Sequence, residues 1–155
     1  MTRVLFVCLG NICRSPAAEG VLKHAMKKDE NLSLEIQSCG LGSWHIGELP
    51  DIRMQDAAKT RGIVLTSLGQ QIKPEFFTYF DYILAADREV LKELYQHAAT
   101  SEQKNKIHLM TAFSSGYKGQ DVPDAYYEND AAFELVLDML EDSCEGLVDH
   151  IKSHK

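Results

Sequence analysis

The chain has 155 residues and a formal net charge of −7, from 16 Lys and Arg against 23 Asp and Glu. This excess of negative charge argues against a general nucleic-acid binder. It does not exclude a phosphate ligand, because the electrostatic field of one loop can outweigh the net charge of the chain. The length predicts one domain, residues 1–155, and 45% hydrophobic with 25% charged residues is typical of a soluble globule. No apolar run approaches a membrane span and no signal peptide is visible, so we expect a cytoplasmic protein without membrane contact.

Short apolar runs alternate with helical patterns along the chain. The predicted elements are, in order, a strand at 3–7, a helix at 17–28, a strand at 33–39, a helix at 52–61, a strand at 82–85, a helix at 88–95, a strand at 106–109 and a last helix from about 129. This alternation predicts right-handed crossovers and an α/β fold whose parallel sheet is covered on both faces. Gly146 lies within the last helix and should weaken its C-terminal end.

The loop after the first predicted strand carries the most information about function. Cys8 follows the apolar run directly, Arg14 comes six positions later, and Ser15 and Pro16 are typical of a helix N-cap and first helical residue. Such a loop aims backbone N–H groups into one hollow, where the helix dipole favours an anion and a cysteine thiolate. We therefore predict that Cys8 is a nucleophile and that Arg14 clamps a phosphate. The loop residues expected to bind that phosphate are Leu9, Gly10, Asn11, Ile12, Cys13 and Ser15.

Two features of this loop have alternative interpretations. Cys8 could be a small buried hydrophobe in a strand–helix turn, a common place for a free cysteine. Ser15 could be an N-cap only, or its hydroxyl could steady the Cys8 thiolate as a leaving group. Asn11 favours an anion-binding loop, because asparagine tolerates the left-handed backbone that a tight loop needs.

Residues 7–16, with the sequence VCLGNICRSP, resemble the signature of the low-molecular-weight protein tyrosine phosphatases. Weaker matches follow in the same order over nearly the whole chain, at 38–40, 44–47, 51–53, 80–87 and 124–127. The resemblance implies a four-stranded parallel sheet of order 2-1-3-4 with helices on both faces. It also implies hydrolysis of phosphotyrosine and aryl phosphates through a phosphocysteine intermediate. We expect no metal or other cofactor, because the loop N–H groups and Arg14 already supply positive charge and no metal-ligand spacing appears in the sequence.

A polar, proline-containing loop before the last helix supplies the expected general acid. Asp124 is that acid by chemistry and by resemblance, since it would protonate the leaving phenolic oxygen and later deprotonate water. Asp121 is the rival candidate in the same loop. The sequence departs from the family here, because Ala125 stands where proline usually follows the acid and Pro123 precedes it.

Substrate selectivity should depend on aromatic side chains that line the predicted phosphate-binding pocket. We expect Trp44, Tyr126 and Tyr127 to flank a phenyl ring, with Leu9 as part of the same wall; a core or surface aromatic is the alternative for Trp44. By resemblance, Ser38 supports Asn11 through a hydrogen bond. Ser67 stands where the family often has a histidine that helps to brace the loop.

The four cysteines show neither disulfide-scaffold nor zinc-site spacing, which favours a reducing compartment. Cys144 lies on the apolar stripe of the last helix and is expected to pack in the core. Cys13 is expected to be the redox partner of an oxidised Cys8, an interpretation that leans on the resemblance; packing against the sheet is the alternative.

Other functions remain to be distinguished from a tyrosine phosphatase. They are a thioredoxin-coupled arsenate reductase on the same scaffold, a catalytically weak phosphotyrosine-binding module, and a small-molecule acid phosphatase. The chain lacks the reactive cysteine pair of the first after its third predicted strand and keeps both Cys8 and Asp124, which the second would be expected to lose. The expected partners are tyrosine-phosphorylated proteins, with a tyrosine kinase as one candidate, and the expected state is a monomer or weak dimer.

Overall fold

The structure is a computed structural model that describes residues 1–125 and 129–154. In these ranges the elements are, in chain order, β1 (Thr2–Cys8), α1 (Arg14–Met26), β2 (Leu34–Gly40), α2 (Ile52–Lys59), α3 (Phe76–Tyr79), β3 (Tyr82–Ala85), α4 (Arg88–His97), α5 (Ser101–Lys104), β4 (Ile107–Leu109) and α6 (Asp130–Ser153). The short helices α3 and α5 were not predicted, because four residues are too few to show a helical period.

The described strands form one parallel sheet of order β2-β1-β3-β4, which confirms the predicted order. β1 lies in the centre, with Cys8 opposite Gly40 at the end of β2. On its other side, Val7 pairs with Ala85 at the end of β3. The strand order reverses direction at β1, so the loop after Cys8 starts in the crevice where open α/β sheets bind ligands.

Helices cover both faces of the sheet, as predicted, and the alternation of side chains along β1 assigns each residue to a face. Val4, Phe6 and Cys8 share one buried cluster with residues of α1, α2 and α6. Leu5 and Val7 share a second cluster with residues of α3 and α4. Cys8 therefore lies on the face that α1 covers, and the chain turns directly from it toward that helix.

Gly146 does not interrupt α6, which continues without a break to Ser153; the predicted loss of helix stability at this glycine stays a prediction. A Cβ on Gly146 would lie 1.8 Å from the carbonyl oxygen of Phe113, so glycine is what lets the helix approach that turn. Asn129 caps the helix by accepting the backbone N–H of Ala132 at 3.3 Å. None of the helices in the described part of the chain has both the length and the apolar character needed to cross a bilayer.

The prediction that Ser15 is the N-cap of α1 is wrong. The helix begins at Arg14 with Cys13 as its N-cap, and the N–H of Ala17 donates to the Cys13 carbonyl at 3.2 Å. Pro16 lies in the first turn, where backbone N–H groups have no partner within the helix, so its missing N–H costs nothing there. This start leaves the hydroxyl of Ser15 available for another contact.

Candidate active site

Residues 8–15 comprise the end of β1, the connecting loop and the first two residues of α1; they fold back over the Cys8 side chain and are called loop 8–15 below. The backbone N–H of Asn11 points at the Cys8 Sγ at 3.3 Å. The Cys8 and Leu9 carbonyls accept N–H groups from the chain that follows β2, at 3.0 and 2.9 Å. A Cβ on Gly40 would lie 2.9 Å from the Asn11 nitrogen, so glycine permits this close approach. The loop is therefore pinned against the carboxyl end of β2.

Asn11 organises the interior of the loop from a left-handed backbone conformation, with φ of 55°. Its Oδ1 accepts the backbone N–H of Gln70 at 2.8 Å, which fixes which end of the amide donates. Its Nδ2 donates to Ser15 Oγ at 2.7 Å and to Ser38 Oγ at 3.1 Å. The predicted pair of Ser38 and Asn11 is thus in contact. The position of Ser67, where the family often has a histidine, is not the source of this support. The backbone N–H that holds the Asn11 Oδ1 belongs to Gln70, three residues later.

The hydroxyl of Ser15 lies 2.9 Å from the Cys8 sulfur. Because Ser15 Oγ already accepts from Asn11, its own proton is free to point at Cys8 Sγ or at the Cys39 carbonyl, 3.3 Å away. Two donors, the Ser15 hydroxyl and the Asn11 N–H, are therefore in reach of the sulfur.

A buried carboxylate supports this chain of hydrogen bonds, and sequence analysis did not assign it a role. Glu19 is only 5% exposed, and its Oε1 accepts from Ser38 Oγ at 2.6 Å. Its Oε2 pairs with Lys23 one helical turn later, at 2.5 Å. Glu19 was visible in the sequence only as a residue that follows the loop motif, whereas its contact with Ser38 depends on β2 lying beside α1.

Arg14 is buried, with 4% of its surface exposed. Its Nη1 donates to Asp87 Oδ2 at 2.7 Å and to the Val122 carbonyl at 2.9 Å, and its Nη2 lies 3.9 Å from Asp124 Oδ2. Burial alone would lower the pKa of Arg14, but Cys8, Asp87 and Asp124 raise it above its usual value. The guanidinium therefore stays charged, and these contacts fix its direction.

Asp87 is a second residue that sequence analysis left without a role. It is the N-cap of α4, where Oδ1 accepts the backbone N–H of Val90 at 2.9 Å, and its other oxygen binds Arg14. An aspartate before a helix is typical of a cap. Nothing in the local sequence shows that the same carboxylate also reaches an arginine 73 positions away.

The two acid candidates have different environments. Asp124 lines the same cavity as Cys8, and its side chain is 47% exposed. Asp121 instead accepts from the backbone N–H and the guanidinium of Arg88, at 3.1 and 2.9 Å, and Arg88 also binds the Gly119 carbonyl. Asp121 is thus an anchor for the loop, and of the two candidates only Asp124 lines the cavity that contains Cys8.

The cavity above Cys8 has a volume of about 410 Å³. The predicted wall residues Leu9 and Trp44 line it, and Trp44 covers Gly42 while 66% of its surface stays exposed. Tyr126 and Tyr127 lie outside the described residues. The remaining lining residues are Gly10, Ile12, Cys13, Arg14, His45 and Asp124.

Cys13 is buried and also lines this cavity. Burial and the neighbouring Cys8 raise its pKa to about 12, so it is a neutral thiol at physiological pH. Burial likewise raises the pKa of Cys39 and of Cys144, the latter to about 12 in the core under α6. Among the described residues, no cluster of three His, Cys, Asp or Glu side chains could hold a metal ion.

The site has the three parts of a cysteine-dependent phosphatase. They are a cysteine at the end of a central strand, an arginine at the start of the next helix, and a carboxyl group that lines the same cavity. The sequence profile of the family described as "Low molecular weight phosphotyrosine protein phosphatase" matches residues 3–155. The chain belongs to this family.

Similar proteins come from distant organisms. The low molecular weight phosphotyrosine protein phosphatase of Rattus norvegicus is 38% identical over 156 residues, covering 97% of this chain and 95% of its own. The crystal structure of a protein tyrosine phosphatase from Entamoeba histolytica, with Hepes in the active site, superposes with a TM-score of 0.94 at 37% identity and covers 99% of each chain. A drosophila arginine phosphatase superposes with a TM-score of 0.91 at 35% identity, covering all of both chains.

Proposed function

We propose that this protein is a protein-tyrosine phosphatase that hydrolyses phosphotyrosine and aryl phosphates through a phosphocysteine intermediate. The observation that carries the proposal is that Cys8, Arg14 and Asp124 line one cavity, with the Ser15 hydroxyl 2.9 Å from the Cys8 sulfur. Nucleophile, fixed positive charge and proton donor are the three requirements for cleaving a phosphate monoester.

In the first step, the Cys8 thiolate attacks phosphorus, so that a sulfur–phosphorus bond forms as the bond to the phenolic oxygen breaks. Asp124 gives its proton to that oxygen, and a neutral phenol leaves. Arg14 and the backbone N–H groups of loop 8–15 bind the equatorial oxygens, which carry the spread charge of the transition state. Asp87 and the Val122 carbonyl keep the guanidinium in place for this task.

In the second step, water attacks the phosphorus of phosphocysteine while the Asp124 carboxylate takes a proton from the water. The sulfur–phosphorus bond breaks, inorganic phosphate forms and Cys8 returns to the thiolate. The Ser15 hydroxyl donates to the departing sulfur, a role that its bond from Asn11 supports by directing its proton outward from the amide.

Selectivity among phosphorylated residues tests the proposed function. Leu9, Ile12 and Trp44 line the cavity and favour a long, flat, apolar side chain, so phosphotyrosine peptides should be hydrolysed with higher kcat/KM than phosphoserine peptides. Phosphoarginine is the third substrate to compare, because one similar structure is an arginine phosphatase. The side chains of Leu9, Ile12 and Trp44 accept no hydrogen bond from a guanidine leaving group, whereas they pack well against a phenyl ring. Equal rates on phosphotyrosine and phosphoserine, or faster turnover of phosphoarginine, would contradict the proposal.

Replacing Asp124 by asparagine should slow poor leaving groups more than good ones. Tyrosine leaves as a poor group and needs the proton, so its phosphate should lose about 10²–10⁴ in rate. The more acidic p-nitrophenol leaves readily as an anion and should lose less. The measurement is kcat over a series of aryl phosphates of graded leaving-group acidity. Asp121→Asn is the matched control and should keep the wild-type slope; the same loss for every ester in Asp124→Asn would count against its role as the acid.

Cys13 is proposed to protect Cys8 from irreversible oxidation. Peroxide converts the Cys8 thiolate to a sulfenic acid, and the Cys13 thiol condenses with it to give a disulfide and water. Both sulfurs line one cavity; Cys13 must lose its proton to attack the sulfenic acid, so its raised pKa makes the step slow at neutral pH and faster as the pH rises. After peroxide and then dithiothreitol, wild type should recover most of its activity and Cys13→Ser much less. Equal recovery would leave Cys13 as a packing residue only.

The family implies phosphoprotein substrates. Among them, tyrosine kinases that carry phosphotyrosine are the proposed partners, together with a cytoplasmic location, where thiols stay reduced. We expect a monomer or weak dimer and no binding to nucleic acid, in line with the net charge of −7.

A further inference from the structure

The loop that carries Asp124 is attached to the first turn of α4. Arg88, the first residue of that helix, donates from Nη1 to Asp121 Oδ1 at 2.9 Å and from Nη2 to the Gly119 carbonyl at 2.7 Å. Its backbone N–H donates to the same Asp121 oxygen at 3.1 Å. Arg88 therefore holds the loop at two points, and sequence analysis gave this residue no role.

Val122 is another fixed point, between these contacts and the acid. Its backbone N–H donates to the Ala86 carbonyl at 2.8 Å, and its carbonyl accepts from Arg14 at 2.9 Å. Contacts at this single residue would still let the chain on either side rotate about its backbone dihedrals. Because Arg88 holds the chain before Val122 as well, the direction in which the chain continues toward Asp124 is also restrained.

The chain between Val122 and Asp124 is stiff enough to transmit that direction. The ring of Pro123 fixes its own φ at about −65° and keeps Val122 away from helical conformations. Ala125, which follows the acid where this family usually has proline, carries no such ring. The position of Asp124 therefore depends on the contacts that hold the chain before it.

We propose that Arg88 is a positioning residue for the general acid. By holding Gly119 and Asp121, it keeps the Asp124 carboxyl group where it can reach the leaving oxygen of the substrate. The inference rests on the proposed function, in which Asp124 gives its proton to that oxygen. Arg88 is not among the described residues that line the cavity above Cys8, so it acts through Asp124 and not on the phosphate itself.

The first test is the dependence of the rate on the leaving group. The measured quantity is kcat/KM over aryl phosphates of graded leaving-group acidity, because it reports the attack of Cys8 and the departure of the phenol. Arg88→Ala should lower kcat/KM for the ester of a weakly acidic phenol by about tenfold, a part of the ~10²–10⁴ that a positioned acid contributes. The ester of p-nitrophenol should lose much less.

Protein stability should change little in this variant. The side chain of Arg88 is 64% exposed, and an exposed ion pair contributes little to the free energy of unfolding. The thermal unfolding midpoint of Arg88→Ala should therefore stay close to that of wild type, which separates the loss of a positioned acid from a general loss of structure.

A double variant tests whether Arg88 acts through Asp124. If it does, Arg88→Ala should have no further effect once Asp124→Asn has removed the acid, so Arg88→Ala/Asp124→Asn should be as fast as Asp124→Asn alone. If the two losses multiply instead, Arg88 acts independently of the acid and the inference is overturned.

Control variants separate the contacts of Arg88 from its charge. Lys92→Ala removes an exposed cation one turn later on α4 and should keep wild-type kinetics. Asp121→Asn keeps the oxygen to which Arg88 donates and should keep the wild-type dependence on the leaving group. Asp121→Ala removes that oxygen and should behave like Arg88→Ala.

Each contrary result has a distinct meaning. An equal loss for every ester in Arg88→Ala would show that its charge attracts the phosphate dianion, and unchanged rates would show that the loop does not need it; either would overturn the inference alone. An equal loss for every ester in Asp124→Asn would overturn the role of Asp124 as the acid, and the inference with it. Failure of wild type to hydrolyse p-nitrophenyl phosphate would overturn the proposed function as a whole.

Discussion

Cys8→Ser should lower the turnover of p-nitrophenyl phosphate and of phosphotyrosine peptides by at least about 10⁴-fold, because loss of a nucleophile removes the covalent pathway. A serine hydroxyl is almost entirely protonated at neutral pH and is a much weaker nucleophile than a cysteine sulfur. Rapid acid quench of wild type with labelled substrate should trap a phosphorylated protein, and the variant should trap none.

The rest of the site stays intact in Cys8→Ser, so binding should survive the loss of turnover. Arg14 keeps its bonds to Asp87 and to the Val122 carbonyl, and inorganic phosphate should still bind in calorimetry. The variant should then capture tyrosine-phosphorylated proteins and so reveal the substrates. Cys144→Ala is the control, since Cys144 lies in the core under α6 and its removal should leave kcat unchanged. Substantial turnover by Cys8→Ser would mean that another group is the nucleophile.

Arg14→Lys should lower kcat/KM by about 10³-fold, close to the cost of losing an arginine that stabilises a transferring phosphoryl group. Lysine keeps the positive charge but cannot bind two phosphate oxygens with one planar group. It also cannot satisfy Asp87 and the Val122 carbonyl while pointing at the cavity. We expect both a lower kcat and weaker inhibition by inorganic phosphate.

A second lysine substitution controls for general effects of this change. Arg3 is the second residue of β1, lies at the opposite end of that strand from Cys8, and is partly exposed. Arg3→Lys should therefore retain wild-type kinetics. Circular dichroism should show that Arg14→Lys is folded before its rate is interpreted. A loss of less than about tenfold in folded Arg14→Lys would show that charge alone suffices, against the role of the planar group.

The order of apolar runs was enough to predict the parallel sheet, because strands that alternate with helices must cross over in one direction. The order of the strands came from the resemblance, since alternation alone does not say which strand lies in the centre. Cys8 and Arg14 were visible because the loop that joins them is contiguous in sequence. For Ser15 the sequence left two roles open, helix cap and contact with Cys8, because the choice depends on the residue at which α1 begins.

The parts of the site that escaped prediction are contacts between distant segments. Asp87 and Arg14 are 73 positions apart, and Ser38 and Glu19 are 19 apart. Asp87 is explained locally as a helix cap, and Glu19 as the i,i+4 ion-pair partner of Lys23. These local roles gave no reason to expect a second contact from either carboxylate. Such roles appear only when the packing of β2 and β3 beside β1 brings the segments together.

The bond from Gln70 to Asn11 has a consequence for how this site tolerates mutation. The donor is a backbone N–H, which every residue except proline carries. Almost any substitution at position 70 therefore leaves the orientation of the Asn11 amide unchanged, although it removes the separate side-chain bond to the Ser38 carbonyl. The residue type at position 70 can vary while its backbone N–H still donates to Asn11. Sequence variability among relatives at this position would therefore hide a hydrogen bond that the active site retains.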